Sequence, residues 1–271
     1  MKKLRYYLLG LLIICFLPEI TAQKTSSEQK KMNKQAPSGM VWLKDNLYID
    51  KEEVSNEKYR EYLSWLGKKY GYGSEEYVNA LPDTLVWRDP MGYNEPYVEY
   101  YFRHPAYNRY PVVGVSPEQA IGYCGWRNSI IKEDKTITFR LPSNEEWEYA
   151  AKGGNEQAIF PWEGTSMLDK KGNCRANVSS CIWNFIEEYD PYKSYITSPT
   201  DSYAPNAYDI YCMASNVAEI VTQNSPDEKT FVLKGGSYDR GTFYSLINFS
   251  GTYEKPARDI GFRCVCEVKE Q

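Results

Sequence analysis

Apolar residues recur at helical spacing in three stretches. In "EVSNEKYREYLSWLGKKYG" (53–71) Tyr59, Tyr62, Leu63, Leu66 and Tyr70 fall on one face, behind Ser55 as N-cap. Val54 and Tyr59 occupy the two staple positions, and Gly71 can end the helix. In "VGVSPEQAIGYCGWRN" (113–128) Ser116 caps, Pro117 takes the first turn, and Gln119 completes a capping box. "LPSNEEWEYAAKGG" (141–154) repeats the device with Ser143 and Glu146 and stops at Gly153. Short β-rich runs, "GMVWL", "TITFRL", "TFVLKGG" and "GFRCVCEV", predict strands. The rest is long and aperiodic, so more than helix and sheet must hold the chain together.

The first 22 residues follow another pattern. Lys2, Lys3 and Arg5 precede an apolar run from Leu8 to Leu17 that is too short to span a bilayer, and Ala22 offers a small residue at a cut. This predicts an export signal (1–22), then a polar, aperiodic tether (23–37) and one domain (38–268). The alternative is a lipid anchor at Cys15, against which Ile14 stands where such signals place a small residue. No transmembrane segment is expected in the mature chain. Removing 1–22 takes 32 basic and 36 acidic residues to 29 and 35, a net charge of −6 that argues against nucleic acid as a partner. Export leaves six cysteines, Cys124, Cys174, Cys181, Cys212, Cys264 and Cys266, an even number that favours disulfides in an oxidising compartment. His104 is the single histidine, and no C-x-x-C pair exists, so a zinc site or a Ser-His-Asp hydrolase is not expected.

Six segments, "EVSNEKY" (53–59), "YPVVGVSPEQAIGYCGWR" (110–127), "FRLPSNEEWEYAAKGG" (139–154), "NAYDIYCMASNVAE" (206–219), "LKGGSY" (233–238) and "DIGFRCVC" (259–266), together resemble the sulfatase-modifying-factor family of formylglycine-generating enzymes. The resemblance implies one irregular α+β domain related to the C-type lectin fold, with little regular secondary structure. Those enzymes bind copper through two cysteines after the "GGSY" motif. Arg240 and Ser245 stand at these positions here, so no catalytic residue and no copper are expected. The histidine triad of the related iron-dependent sulfoxide synthases is also missing. Cys264 and Cys266, either side of Val265, are read as pointing to opposite faces of a strand and so unable to share one copper. The resemblance pairs Cys124 with Cys264. Sequence proximity pairs Cys174 with Cys181, and Cys212–Cys266 follows by elimination.

Structural Ca2+ is the cofactor the resemblance implies, from hard oxygen ligands. Carried over, the first site takes Asn177, Val178, Asp190 and Tyr192, and the second Ser215, Val217 and Glu219. An aromatic-rich insertion (67–111) lies outside the enzyme pattern. Its portion 80–111 resembles one found in gliding-motility and type IX secretion proteins at the periplasmic face of the outer membrane. Trp87, Tyr93, Tyr97 and Tyr101 are its candidate interaction residues, and packing of these rings onto their own domain is the competing reading. The expected function is an exported non-catalytic scaffold or binding protein with protein partners at that membrane. The alternative is an enzyme of the same superfamily with an atypical site.

Mass spectrometry of protein from its native host should find a free N-terminus at Gln23. A lipid-modified Cys15 at the mature terminus would refute this.

Overall fold

A computed structural model describes residues 29–131, 137–181, 196–223 and 230–269. Strands β1 (Met40–Lys44) and β2 (Leu47–Asp50) form an antiparallel pair. Then come α1 (Asn56–Tyr70), α2 (Glu75–Ala80), α3 (Glu95–Tyr100), α4 (Pro117–Ile130), β3 (Ile137–Arg140) and α5 (Asn144–Lys152). The remaining strands are β4 (Ala218–Thr222), β5 (Phe231–Lys234), β6 (Gly251–Thr252), β7 (Ile260–Gly261) and β8 (Val265–Val268). The expected caps form: Ser55, Ser116 and Ser143 each accept a backbone N–H, with complete capping boxes on α4 and α5. "GFRCVCEV" is interrupted at Phe262–Cys264 instead of forming one strand. Strands β2 and β4 and helices α2 and α3 had no sequence signal strong enough to predict. Residues 29–33 of the expected tether form a helical turn, and Asn33 accepts from Trp42 N at 2.7 Å.

One sheet runs β1-β2-β8-β3, the other β6-β5-β4-β7, with β4 and β7 parallel. The first sheet is buried on both faces. Val41, Leu43, Ile49 and Val265 pack with Trp147 of α5, while Met40, Tyr48 and Cys266 join Tyr59, Tyr62, Tyr123 and Phe262 under α1 and α4. Two buried faces explain why "MVWL" reads as an unbroken apolar run. Cys264 and Cys266 therefore do not lie on opposite faces. A strand alternates with period two, so residues i and i+2 share a face, and both sulfurs belong to the α1/α4 side. Many of the tyrosines are core rings: Tyr59 stacks on Tyr123 with centroids 5.8 Å apart, and its hydroxyl donates to Ala80 O at 2.9 Å.

Between the sheets lies a buried polar centre. Arg263 and Glu219 are both almost fully buried. Arg263 Nε donates to both Glu219 oxygens (2.9 and 2.8 Å) and Nη2 to Oε1 (2.6 Å), while Nη1 and Nη2 reach the carbonyls of Asp50, Lys51 and Tyr211. Trp147 Nε1 donates to Glu219 Oε2 at 2.9 Å. Beside them, buried Glu53 accepts from Asn216 Nδ2 at 2.8 Å through Oε2, and its Oε1 has no partner. Burial lifts the Glu53 carboxyl well above its ordinary value, with Arg263 pulling it down and Glu219 adding to the lift.

Arg263→Met should destabilise the domain by about 3–5 kcal/mol in urea unfolding, because Glu219 is left buried and unpaired. A loss below about 1 kcal/mol would show that the pair is not needed. Glu53 gives a pH signature. Its folded pKa lies above the ordinary 4.5, so its contribution is complete below that pH and is lost as pH rises through the folded value. Glu53→Gln should remove this slope. If the stability difference between E53Q and the parent chain is flat from acid to alkaline pH, Glu53 is not protonated in the native state.

Candidate functional site

The segment 233–245 leaves β5 through Gly235 and Gly236, turns at Asp239, and re-enters the protein as a helical turn at Thr242–Ser245. Gly236 has φ of +70°, and a Cβ there would lie 2.8 Å from the Tyr244 carbonyl. The close approach presses residues 244 and 245 onto the glycine. The two positions at which the resemblance places cysteines therefore differ in setting. The Arg240 side chain is 59% exposed and forms an ion pair with Asp259 at 3.7 Å, with its guanidinium 5.7 Å from the Tyr244 ring centre. Ser245 is fully buried and its Oγ has no partner. A guanidinium and a lone hydroxyl do not fit Cu(I), which soft sulfur holds.

In front of this turn lies a cleft of about 450 Å³ lined by Arg240, Tyr244, Phe249, Glu254, Lys255 and Asp259, with β6 at its edge. Asp259 Oδ2 also accepts from Ser237 Oγ at 2.7 Å. Arg258 bridges Asp239 (3.2 Å) to Asp89 of the insertion (3.3 Å). Asp239 and Arg240 are thus held by separate partners in an exposed turn. Sequence reasoning missed Phe249, Glu254, Lys255 and Asp259, since neither periodicity nor a motif separates a cleft-lining loop residue from any other. His104 is exposed and caps a short helical turn, its Nδ1 accepting from Ala106 N at 3.2 Å.

The cysteines divide three ways. Cys174 and Cys181 form a disulfide, Cα–Cα 6.0 Å. The expected Cys124–Cys264 disulfide is corrected: both are buried free thiols, in hydrogen-bond contact through their sulfurs at 3.0 Å. The pairing of Cys212 with Cys266 is corrected: both are free. Cys212 donates to Thr200 O at 3.4 Å, whereas Cys266 belongs to the α1/α4 core.

Of the first expected calcium set, Asn177 and Val178 are buried, and Asn177 Nδ2 donates to Asn216 Oδ1 at 3.0 Å. Asp190 and Tyr192 lie outside the described residues. The second set does not fit a cation. Both Glu219 oxygens are taken by Arg263 and Trp147, so a calcium ion there would have to displace a guanidinium. Ser215 Oγ donates to the Asn177 carbonyl, and buried Val217 joins the core. Among the described residues no group of three or more His, Cys, Asp or Glu could hold a metal ion.

The candidate interaction residues are corrected in part. Trp87 and Tyr101 are buried, 4.5 Å apart, in a core with Val113, Val217 and Tyr238. The Tyr101 hydroxyl is satisfied by Pro111 O and Thr197 Oγ1, each at 2.7 Å. Tyr97 is half-buried against Trp87, and Tyr93 is 84% exposed. Burial of these rings outweighed their display.

A profile of the sulfatase-modifying factor enzyme 1-like domain matches residues 19–268. The formylglycine-generating enzyme of Bos taurus is 27% identical over 290 aligned residues, covering 90% of this chain and 71% of that protein. That of Thermomonospora curvata is 28% identical, covering 81% of each. The inactive C-alpha-formylglycine-generating enzyme 2 of Bos taurus is 27% identical, covering 67% of this chain and 56% of that protein. In fold, the chain is similar to Treponema denticola variable protein 1, with a TM-score of 0.55 at 19% identity over 82% of this chain and 84% of that one. The structure of PvdO from Pseudomonas aeruginosa gives 0.54 at 18% identity, over 82% and 80%. No described helix is long and apolar enough to cross a membrane. With a family profile matched over nearly its whole length, the chain belongs to the sulfatase-modifying-factor family.

Proposed function

We propose that this chain is an exported, non-catalytic member of its family that binds a protein partner at the periplasmic face of the outer membrane. The gliding-motility or type IX secretion setting is the one that the insertion's resemblance suggests. One observation carries the reading. Where the enzymes need two thiolates, Arg240 is committed to Asp259 and Ser245 is sealed beneath Gly236. The similarity to an inactive relative supports it further. The cleft keeps what binding requires: the rings of Tyr244 and Phe249, charges of both signs, and the two-residue edge strand β6, whose backbone can pair with an extended segment. Arg240 would then hold an acidic group of the partner instead of a metal.

Purified protein given Cu(I), oxygen and a cysteine-bearing sulfatase peptide should yield no formylglycine. Arg240→Glu, at an exposed position, should release a partner that co-purifies from native envelopes while leaving the melting temperature within about 1 °C, as surface substitutions usually do. Formylglycine from the unmodified chain would overturn the non-catalytic reading. A partner retained by Arg240→Glu would place its contact outside the cleft.

A further inference from the structure

We infer that a second cleft, independent of the proposed function, binds a carboxylate carried on an aromatic residue: the C-terminal end of a polypeptide or a free aromatic acid. It measures about 370 Å³ and lies between α1, α2 and the end of the insertion, with Leu63, Tyr72, Tyr77 and Phe102 as walls and Arg60 and Arg103 beside them. No motif of the family resemblance covers the segment that supplies Tyr72, Tyr77, Phe102 and Arg103.

The charges are the first argument. Arg88, Arg109, Arg127, Arg140, Arg240, Arg258 and Arg263 each form an ion pair with a carboxylate, whereas among the described residues Arg60 and Arg103 form none. Arg60 is held by neutral acceptors, the Phe102 carbonyl and Asn108 Oδ1, which take two of a guanidinium's five N–H donors. Glu57, one turn earlier on α1, accepts from Asn108 Nδ2 at 3.4 Å and acts on Arg60 from longer range without forming an ion pair with it. Arg103 is exposed and donates to the carbonyls of Val98 and Glu99 at 3.3 and 3.1 Å. In a chain whose acids outnumber its bases, two arginines with no direct ion pair beside one cleft are the complement of an anion from outside.

The walls are the second argument. Tyr72, 60% exposed, lies against α1 at Gly67, where a Cβ would come within 2.4 Å of its ring. It meets Tyr77 edge-on with centroids 5.3 Å apart. Glycine within the helix gives up stability, and the missing Cβ lets this ring approach so closely. Leu81 and Pro82 also line the cleft, and Leu81 is exposed, so apolar surface reaches the solvent there. The cleft volume suits one aromatic side chain with its carboxylate, and neutral or cationic ligands would leave the guanidiniums unanswered.

The test titrates the full chain, by calorimetry and by chemical-shift perturbation, with three probes. These are a pentapeptide ending in phenylalanine with a free carboxylate, the same peptide amidated, and N-acetylphenylalanine. The free-carboxylate peptide should saturate and bind about tenfold tighter than the amide, the size of a charge-assisted hydrogen bond. Arg103→Met should erase that tenfold difference at unchanged melting temperature. Gly67→Ala should displace the Tyr72 ring and weaken both peptides while favouring the helix. N-acetylphenylalanine binding as tightly as the peptide assigns a free aromatic acid, and a clearly tighter peptide assigns a chain end; either supports the site. Equal binding of acid and amide, no saturation, or an Arg103→Met variant that still prefers the acid would overturn it.

Discussion

The buried Arg263–Glu219 pair is the constraint on which the architecture depends. Glu219 lies on β4 of the second sheet, and Arg263 sits in the break between β7, which joins that sheet, and β8, which joins the other. The guanidinium also takes carbonyls from the end of β2 and from Tyr211, so one side chain ties together four separated parts of the chain. Such a group is tolerable in a dry interior only when every donor is answered, and here each nitrogen has a partner. The break at Phe262–Cys264 follows from this. A continuous strand would hold the backbone in the ladder, whereas Arg263 must lie wholly in the interior between the two sheets.

That dependence explains which parts of the fold were legible in the sequence. Helices α1, α4 and α5 announced themselves because their signals are local: a capping serine on each, a glutamine or glutamate three residues on in α4 and α5, and apolar residues at i, i+3 and i+4 in α1. Strand β4 was hidden because its order is imposed by neighbours. Its middle residue pairs with β5, its start with β7, and its glutamate answers an arginine more than forty residues away. The interaction residues failed for a related reason. Trp87 and Tyr101 carry no mark that separates a ring facing solvent from one facing a core, and they face a core shared with Val113, Val217 and Tyr238 outside the insertion.

The candidate site shows the reverse division. Its backbone was readable from "GGSY", because Gly236 must let residues 244 and 245 approach. The chemistry at the same place was readable only as a substitution, a cationic and a hydroxyl side chain for two thiols. What the sequence could not supply was the asymmetry between them. Arg240 faces solvent and an acid, and the buried Ser245 Oγ has no hydrogen-bond partner.

The unpartnered Ser245 hydroxyl and the exposed Arg240 guanidinium sit on a loop whose frame depends on neither of them. The frame persists because Trp147, Glu219 and Arg263, which hold the "GGSY" loop's strand and its neighbour in place, do not touch the substituted positions. Stability and chemistry occupy different residues here, so one can change while the other stays. The insertion follows the same logic. Its rings bury Trp87 and Tyr101 for stability, and its exposed remainder, joined to the main body through Arg258 and Asp89, is left to vary in what it meets. In a fold arranged this way the sheets and the polar centre set stability, and the loops and clefts are left free to differ in chemistry.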